Sequence, residues 1–250
     1  PQNSCLANDG CVHEGKISNK LGLPGIPSAA ESVAVSEAIL LSKLTGVKLH
    51  LCRISCLESI MLIQSARSAG IEVTADVAIH QLFFDENSII NFNSDFHVMP
   101  PFREKDDLLA LQKAIQDGTI TAICSDHQPH NKDAKQAPFA NTQYGIASIE
   151  VLLPLIMELV DLDILDLSEI GTIFAEHTKN GDLVLLSGKV GAGKTEFARQ
   201  IIKAKAIKEN LDIGEISSPT FSLIQTYDFK CCKISHIDLY RVNSEDELFE

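Results

Sequence analysis

The chain has 250 residues, of which 45% are hydrophobic and 22% are charged, and its formal net charge is −13. This composition is typical of a folded globular protein and excludes an intrinsically disordered chain. The negative charge is divided about evenly between the two parts of the chain. Residues 1–160 contain 11 Lys and Arg and 18 Asp and Glu, and residues 161–250 contain 10 Lys and Arg and 16 Asp and Glu. Because neither part carries an excess of basic residues, we expect no direct, tight binding of nucleic acid.

The cysteines and the apolar runs bear on the compartment. The sequence has seven cysteines, an odd number, and none of them is arranged as C-x-x-C. This usage predicts free thiols in a reducing, cytoplasmic compartment. No apolar run approaches the roughly 20 residues that span a bilayer, and the first residues, from Pro1, resemble neither a start nor a signal peptide. We therefore expect a cytoplasmic protein that does not associate with membranes.

Predicted helices and strands alternate in the first 160 residues. The predicted elements are a helix at 28–44, a strand at 47–52, a helix at 55–70, a strand at 72–78, a helix at 104–116 and a strand at 119–124. Two segments, Ser28–Glu31 and Ser55–Glu58, fit the capping-box pattern and predict the starts of the first two helices. Strict alternation of this kind predicts a parallel sheet or a (β/α) barrel.

Polar side chains follow three of these strands at their carboxyl ends. They are Arg53, His80 and the segment Ser125-Asp126-His127-Gln-Pro-His130. In a barrel these ends form the active face, and a carboxylate with two or three histidines there can hold Zn²⁺. The alternative for each histidine taken alone is a structural or solvent-facing role. For the histidines of the clustered D-H-x-P-H segment, we weigh a metal-binding role and a structural role about equally.

Four segments of this part resemble dihydroorotase. They are Leu21-Gly-Leu-Pro-Gly-Ile-Pro-Ser-Ala-Ala-Glu31, Pro100-Pro-Phe-Arg103, Asp117-Gly-Thr-Ile120 and Ser125–His130. The resemblance covers about residues 1–160 and implies a (β/α)₈ amidohydrolase barrel, whose family closes the ring of dihydroorotate in pyrimidine biosynthesis. His80 and Asp126 match metal-site positions of that family, and Asp126 would be the catalytic carboxylate.

The resemblance also has departures that count against zinc catalysis. The family's early H-x-H pair is absent, Arg53 stands where a metal-binding histidine is expected, and Met99 stands where a substrate-binding asparagine is expected. His80 and Asp126 alone are too few ligands for a catalytic zinc site. These departures resemble inactive dihydroorotase-like subunits that support the assembly of aspartate carbamoyltransferase. We therefore expect a non-catalytic segment, with an active zinc amidohydrolase as the less favoured alternative.

The last 90 residues contain a phosphate-loop motif. The sequence Gly188-Lys-Val-Gly-Ala-Gly-Lys194-Thr195 fits G-x-x-x-x-G-K-[ST]. It lies between a predicted strand at 183–186 and a predicted helix at 196–205, so the helix start would point at an anion. In such a loop the backbone N–H groups surround the phosphates, Lys194 reaches the β and γ oxygens, and the Thr195 hydroxyl binds Mg²⁺.

Residues around this motif predict the rest of a nucleotide site. The cofactor-binding residues that we predict are Gly188, Gly191, Ala192, Gly193, Lys194, Thr195 and Thr220. A strand is expected from Ile224 and another at 234–241. Asp238, on the second, is a candidate for the second Mg²⁺ contact, because a P-loop ATPase needs a carboxylate opposite the loop threonine. The alternative is an ordinary polar residue on a strand.

The order of the motifs in this part resembles the TsaE family. The matching segments are residues 181–195, Ser218-Pro-Thr-Phe221, His236-Ile-Asp-Leu-Tyr-Arg241 and Glu245-Asp-Glu-Leu248. The family consists of small bacterial ATPases that support the synthesis of threonylcarbamoyladenosine in tRNA by acting on partner proteins. The resemblance implies ATP and Mg²⁺ as cofactors, a switch-like loop around Thr220, and partners in that machinery.

The expected organisation is therefore α/β throughout. We expect a partial (β/α) amidohydrolase barrel at residues 1–162 and a partial P-loop NTPase parallel sheet at residues 163–250. No Pro-, Gly- or Ser-rich linker separates them near Val160–Asp163. Two partial domains joined without a linker suggest a chimera formed by recombination or in sequence assembly, and a bifunctional protein is the alternative.

Overall fold

The computed structural model describes residues 1–186, 193–219, 222–230 and 232–239. The chain divides into two compact units, Pro1–Ile164 and Leu165–Glu250, which are treated separately below. Within the described residues no helix is long and apolar enough to cross a membrane.

The first unit alternates helices and parallel strands. Its helices are α1 (Ser4–Ala7), α2 (Lys16–Leu21), α3 (Ala29–Thr45), α4 (Leu57–Ser68), α5 (Lys105–Gln116) and α6 (Leu152–Asp161). Its strands are β1 (Val12–His13), β2 (Gly25–Ile26), β3 (Leu49–Leu51), β4 (Val73–Ala78) and β5 (Ala122–Cys124). Six single 3₁₀ turns lie between Ile79 and Val151 in the described loops.

The central feature of this unit is a three-stranded parallel sheet in the order β3-β4-β5. Leu49 lies opposite Val73, and Asp76 lies opposite Ala122. Helix α3 packs on β3 and α4, while α4 packs on β4 and α5. Parallel pairing with helical crossovers confirms the alternating α/β pattern predicted from the sequence, and it aligns the carboxyl ends of the three strands at one edge.

The strands are shorter than predicted. The strand predicted at 119–124 begins at Ala122, because the Ile120 amide donates to the carbonyl of Ala114 at the end of α5 (2.9 Å) and the Thr119 amide to the Asp117 side chain (2.9 Å). These amides belong to the helix exit and not to the sheet ladder.

Both predicted capping boxes are wrong. Ser28 is the N-cap of α3 but makes no capping hydrogen bond with its side chain, and Glu31 turns into the core instead. There the Glu31 carboxylate accepts from the Ser55 amide (3.0 Å) and from the Ser55 hydroxyl. Ser55 is thereby unavailable to cap α4, whose first amide, on Leu57, donates to Asp107 (2.8 Å). Long-range buried contacts outcompete the local capping pattern at both helix starts.

The second unit is built on two packed helices and a hairpin. Its described elements are α7 (Leu167–His177), α8 (Lys194–Glu209), β6 (Ile224–Asp228) and β7 (Lys233–Ile237). Helix α7 packs closely on α8, where the rings of Phe174 and Phe197 meet edge to face at 5.0 Å. Strands β6 and β7 pair antiparallel, with Ile224 opposite Ile237.

The strand predicted at 183–186 is not formed. Leu183 and Leu185 are 78% and 79% exposed, and no strand of the described residues pairs with this segment. A strand depends on a neighbour that satisfies its backbone groups, and β6 and β7 satisfy each other. The described part of this unit therefore contains an antiparallel hairpin where the sequence predicted parallel strands.

Candidate functional sites

The start of helix α8 carries the described part of the predicted nucleotide site. Gly188, Gly191, Ala192 and Thr220 lie outside the described residues. Gly193 has φ 79°, in the left-handed region that glycine adopts without strain, and α8 begins at the next residue, Lys194. Lys194 and Thr195 therefore occupy the first turn, where backbone N–H groups have no partner within the helix and attract anions.

Thr195 shares one face of α8 with Arg199, because residues four apart on a helix lie above one another. Arg199 forms an ion pair with Glu196, and its Nε donates to the Ile216 carbonyl at 2.7 Å. These two contacts hold the guanidinium about one turn beyond Thr195. Arg199 therefore lies on the same face of α8 as Thr195, about one turn further along the helix.

Asp238 follows β7 directly. Its amide donates to the Leu223 carbonyl at 3.0 Å, which closes the hairpin at this end. His236 lies two residues earlier and so on the same side of the strand. Burial lowers the pKa of His236, Asp238 opposes that shift, and the Arg199 guanidinium adds to it. His236 therefore lies within electrostatic reach of Arg199 on α8.

In the first unit, two of the three residues predicted at the strand ends are in contact. Arg53 lies two residues after β3, His80 lies in the turn after β4, and Asp126 lies two residues after β5. The Arg53 guanidinium donates to Asp126 Oδ1 at 3.0 Å and forms an ion pair with it. Both residues have left-handed backbone conformations, with φ of 55° and 45°, and strained residues of this kind concentrate at functional sites.

His80 is buried beside this ion pair without a hydrogen bond. It is 1% exposed, neither ring nitrogen has a partner, and its ring meets Phe102 edge to face at 5.7 Å. Burial lowers its pKa to about 4, Asp126 opposes the shift, and Arg53 adds to it. His80 is therefore neutral at physiological pH, with a lone pair that no described group uses.

These residues do not fit a zinc ion. Asp126 Oδ1 already accepts from Arg53 and from Gln128 Nε2 (2.8 Å), and the guanidinium brings a positive charge to the place where the metal would lie. Arg53 also donates to the carbonyl oxygen of Met99 at 3.4 Å. His80 and Asp126 alone would leave a zinc ion with half of its usual four ligands.

The two histidines of the D-H-x-P-H segment are structural. Nδ1 of His127 accepts from the amides of Ser148 and Ile149 at 3.1 and 3.2 Å, and Nε2 of His130 contacts the Tyr144 carbonyl at 2.9 Å. Each ring ties a loop to the strand end. One ring nitrogen of each histidine is therefore engaged by backbone groups of the 144–149 segment.

A second polar cluster, around Asp76, was not predicted. The Asp76 carboxylate accepts from the Arg53 amide (2.7 Å) and the Cys124 thiol (3.4 Å), and it contacts Nε2 of His50 (2.9 Å) and the thiol of Cys52. Burial raises the pKa of Asp76, but these hydrogen bonds lower it by more. Burial together with Asp76 raises the pKa of Cys124 to about 12. The sequence could have indicated this cluster through polar residues at alternate positions, at 50 and 52 in and just after β3 and at 74 and 76 in β4.

Comparison with known proteins confirms both resemblances. The family described as "Threonylcarbamoyl adenosine biosynthesis protein TsaE" matches residues 163–250, and the family described as "Dihydro-orotase-like" matches residues 2–59. Two curated relatives are dihydroorotase-like proteins: that of Pseudomonas putida is 46% identical over 66% of this chain, and that of Pseudomonas aeruginosa is 41% identical over 77%.

These relatives are much longer than the matched segment. The alignments span 39% and 45% of the Pseudomonas proteins. Among solved structures, dihydropyrimidinase from Brevibacillus agri is similar with a TM-score of 0.55 and 22% identity, over 74% of this chain and 42% of that one. That likeness shows that this part of the chain shares the α/β fold of part of the dihydropyrimidinase.

Proposed function

We propose that the second unit binds ATP with Mg²⁺ and acts as an ATPase of the TsaE type. The observation that carries the proposal is the start of α8 at Lys194, directly behind a left-handed glycine, at the place where the phosphate-loop motif needs a helix N-terminus. The match of residues 163–250 to the TsaE family supports the same assignment. Proteins of the tRNA threonylcarbamoyladenosine machinery are the proposed partners, in the cytoplasm.

The roles of the residues follow from their chemistry. The Lys194 ammonium would neutralise the terminal phosphates, and the Thr195 hydroxyl and the Asp238 carboxylate would hold Mg²⁺. By the resemblance to the TsaE family, Gly188, Gly191 and Ala192 would supply amide hydrogens and Thr220 would contact the nucleotide. Mg²⁺, when bound, would offset the negative charge of the phosphates.

Isothermal titration calorimetry with ATP and Mg²⁺ tests this proposal. We expect saturable binding by the wild type and loss of the binding heat in Lys194→Ala. Lys203→Ala is the matched control, because Lys203 is an exposed lysine of the same helix, and this variant should bind like the wild type. Equal heats for wild type and Lys194→Ala would contradict the proposal.

For the first unit we propose a non-catalytic, dihydroorotase-like role. The ion pair between Arg53 and Asp126 favours it, because the guanidinium takes the carboxylate that a metal would need. The proposed partner is aspartate carbamoyltransferase, as in the inactive subunits that this part resembles. Catalytic dihydroorotase activity in pyrimidine biosynthesis is the alternative that this ion pair disfavours.

Association with that partner can be measured by sedimentation velocity. We expect the full chain and purified aspartate carbamoyltransferase to form a complex at micromolar concentration. Sedimentation of two unchanged species in the mixture would contradict the scaffold role.

A further inference from the structure

We propose that His50, Cys52 and Asp76 form a binding site for a thiophilic divalent metal ion such as Zn²⁺. His50 lies in β3, Cys52 follows that strand, and Asp76 lies in the neighbouring β4. The three ligand atoms, one from each side chain, all lie within 4.8 Å of one another. Zinc–ligand bonds of about 2.0–2.3 Å place the ligands of a tetrahedral ion roughly 3–4 Å apart, so small rotations of these side chains suffice.

The hydrogen bonds of His50 orient the imidazole for this role. Its Nδ1 contacts the Thr74 hydroxyl at 2.8 Å, and that hydroxyl donates to the Leu49 carbonyl at 3.3 Å. Thr74 then accepts a hydrogen from Nδ1, and the lone pair of a neutral imidazole is left on Nε2. Nε2 faces Asp76 Oδ2 at 2.9 Å, so two acceptors point at one place. A cation between them satisfies both.

The hydrogens around His50 have a second possible arrangement, and the experiment must distinguish it from metal binding. If Nε2 carries the hydrogen and donates it to Asp76, Thr74 must give its hydroxyl hydrogen to Nδ1 and lose the contact with Leu49. That pattern needs no metal. The metal-bound pattern keeps the contacts of Thr74 with Nδ1 and with the Leu49 carbonyl, while bonds to the ion replace the contact between Nε2 and Asp76. Thr74 is then the outer partner that fixes the ring, an arrangement that commonly supports metal-binding histidines.

Cys124 donates its thiol hydrogen to Asp76 and is not one of the three ligands. It ends β5, and its Sγ lies 3.4 Å from Asp76 Oδ1. One imidazole, one thiol and one carboxylate form a set that suits Zn²⁺ or Co²⁺, whereas Mg²⁺ and Ca²⁺ prefer oxygen ligands throughout. On binding, the ligating thiol releases its proton to solvent as the metal–sulfur bond forms.

The site is accessible and differs from the zinc position implied by the resemblance. His50 and Cys52 are exposed, so an ion reaches them from solvent, while Asp76 is buried and fixed. The residues of the other position, Arg53, His80 and Asp126, are not ligands here. The connection between the two is the Arg53 amide, which donates to Asp76 Oδ1 at 2.7 Å.

Titration of the reduced, metal-free full chain with Co²⁺ tests the proposal, because a thiolate–Co²⁺ bond gives an intense charge-transfer band in the near ultraviolet. We expect a saturable band at one equivalent. Cys52→Ser should abolish the band, and Thr74→Val should weaken Co²⁺ binding about 10–100-fold, as loss of an outer partner does. Cys5→Ser and His80→Leu are the controls and should leave the titration unchanged.

Three outcomes would overturn the proposal. They are no band in the wild type, an undiminished band in Cys52→Ser, and a band lost in His80→Leu, which would place the ion at the other position. Circular dichroism of each variant separates loss of the site from loss of the fold. Cys52 is exposed, so Cys52→Ser should fold like the wild type.

Discussion

Arg53 holds a carboxylate that a metal ion would otherwise need. The side chain of Arg53 is 40% exposed and that of Asp126 is 10% exposed, so solvent reaches the ion pair, which is not part of the core. The positive charge comes from the chain itself, and His80 is left with unused ring nitrogens.

His80 makes the stability of the first unit sensitive to acid. Its folded pKa of about 4 lies below the unfolded value of 6.5. Between these values the unfolded state binds more protons, so the free energy of unfolding falls as the pH is lowered from 6.5 towards 4. We expect a loss on the order of 1–2 kcal/mol at pH 5 from this residue.

The variant His80→Leu removes the titrating group and an unpartnered buried dipole. We expect its stability near pH 7 to equal or exceed that of the wild type, with a flatter decline towards pH 4. Urea unfolding at pH 7, 6 and 5 measures this. A decline as steep as in the wild type would contradict the role given to His80.

Glu31 supports the core of the first unit through Ser55 and Arg103, which lie on separate segments. Glu31 and Arg103 are 1% and 3% exposed, and their charged atoms lie 4.0 Å apart. Glu31→Ala leaves Arg103 without its charge partner, so we expect a loss of about 3–5 kcal/mol in the free energy of unfolding. Denaturant unfolding measures it.

Glu37→Ala is the control for that measurement, since Glu37 is an exposed glutamate of the same helix. It should change the free energy of unfolding by no more than about 0.5 kcal/mol. Similar values for the two variants would show that the buried network around Glu31 contributes nothing.

At the scale of elements, the contact between α7 and α8 depends on a glycine. A Cβ added at Gly171 would lie 2.7 Å from Cβ and 2.8 Å from the backbone carbon of Gln200, so the helices would have to separate. We expect Gly171→Ala to destabilise the second unit by about 1–3 kcal/mol, although alanine favours an isolated helix.

Thr172→Ala, at an exposed position of the same helix, is the matched control for Gly171→Ala. Hydrogen exchange of the amides in α8 reports the stability of this unit in both variants. Faster exchange in Gly171→Ala alone is expected, and equal exchange in the two would contradict close packing at Gly171.

The elements also show what the sequence could predict. Apolar periodicity predicted α3, α4 and α5 to within about two residues, because an amphipathic helix carries its own signal. The side-chain partners of Glu31 and Ser55 could not be predicted, since they depend on a residue 24 positions away. The strand predicted at 183–186 is not formed for a related reason, because a strand needs a neighbouring strand to satisfy its backbone groups.

Of the two polar clusters in the first unit, the sequence predicted one and missed the other. The rule that parallel strands end at one edge predicted that Arg53, His80 and Asp126 lie near one another, and the structure places Arg53 and Asp126 in contact. The cluster at Asp76 was missed because its members are spread over three strands. Their shared face becomes visible only when the register of β3, β4 and β5 is known.

At the scale of the whole molecule, the two units carry different chemistry. We expect no hydrolysis of dihydroorotate and no ring closure to form it above the blank, even with added Zn²⁺, because the Arg53 guanidinium is paired with the Asp126 carboxylate. A spectrophotometric assay of the full chain tests this. Zinc-dependent turnover that Asp126→Asn abolishes would contradict the non-catalytic role.

Hydrogen–deuterium exchange with and without ATP and Mg²⁺ tests the central proposal most directly, because it reports where the nucleotide binds. We predict slower exchange in the first turn of α8, at residues 194–197, and around Asp238, with residues 1–164 unchanged. Exchange that is unaltered in α8, or altered only within residues 1–164, would contradict a nucleotide site at the start of that helix.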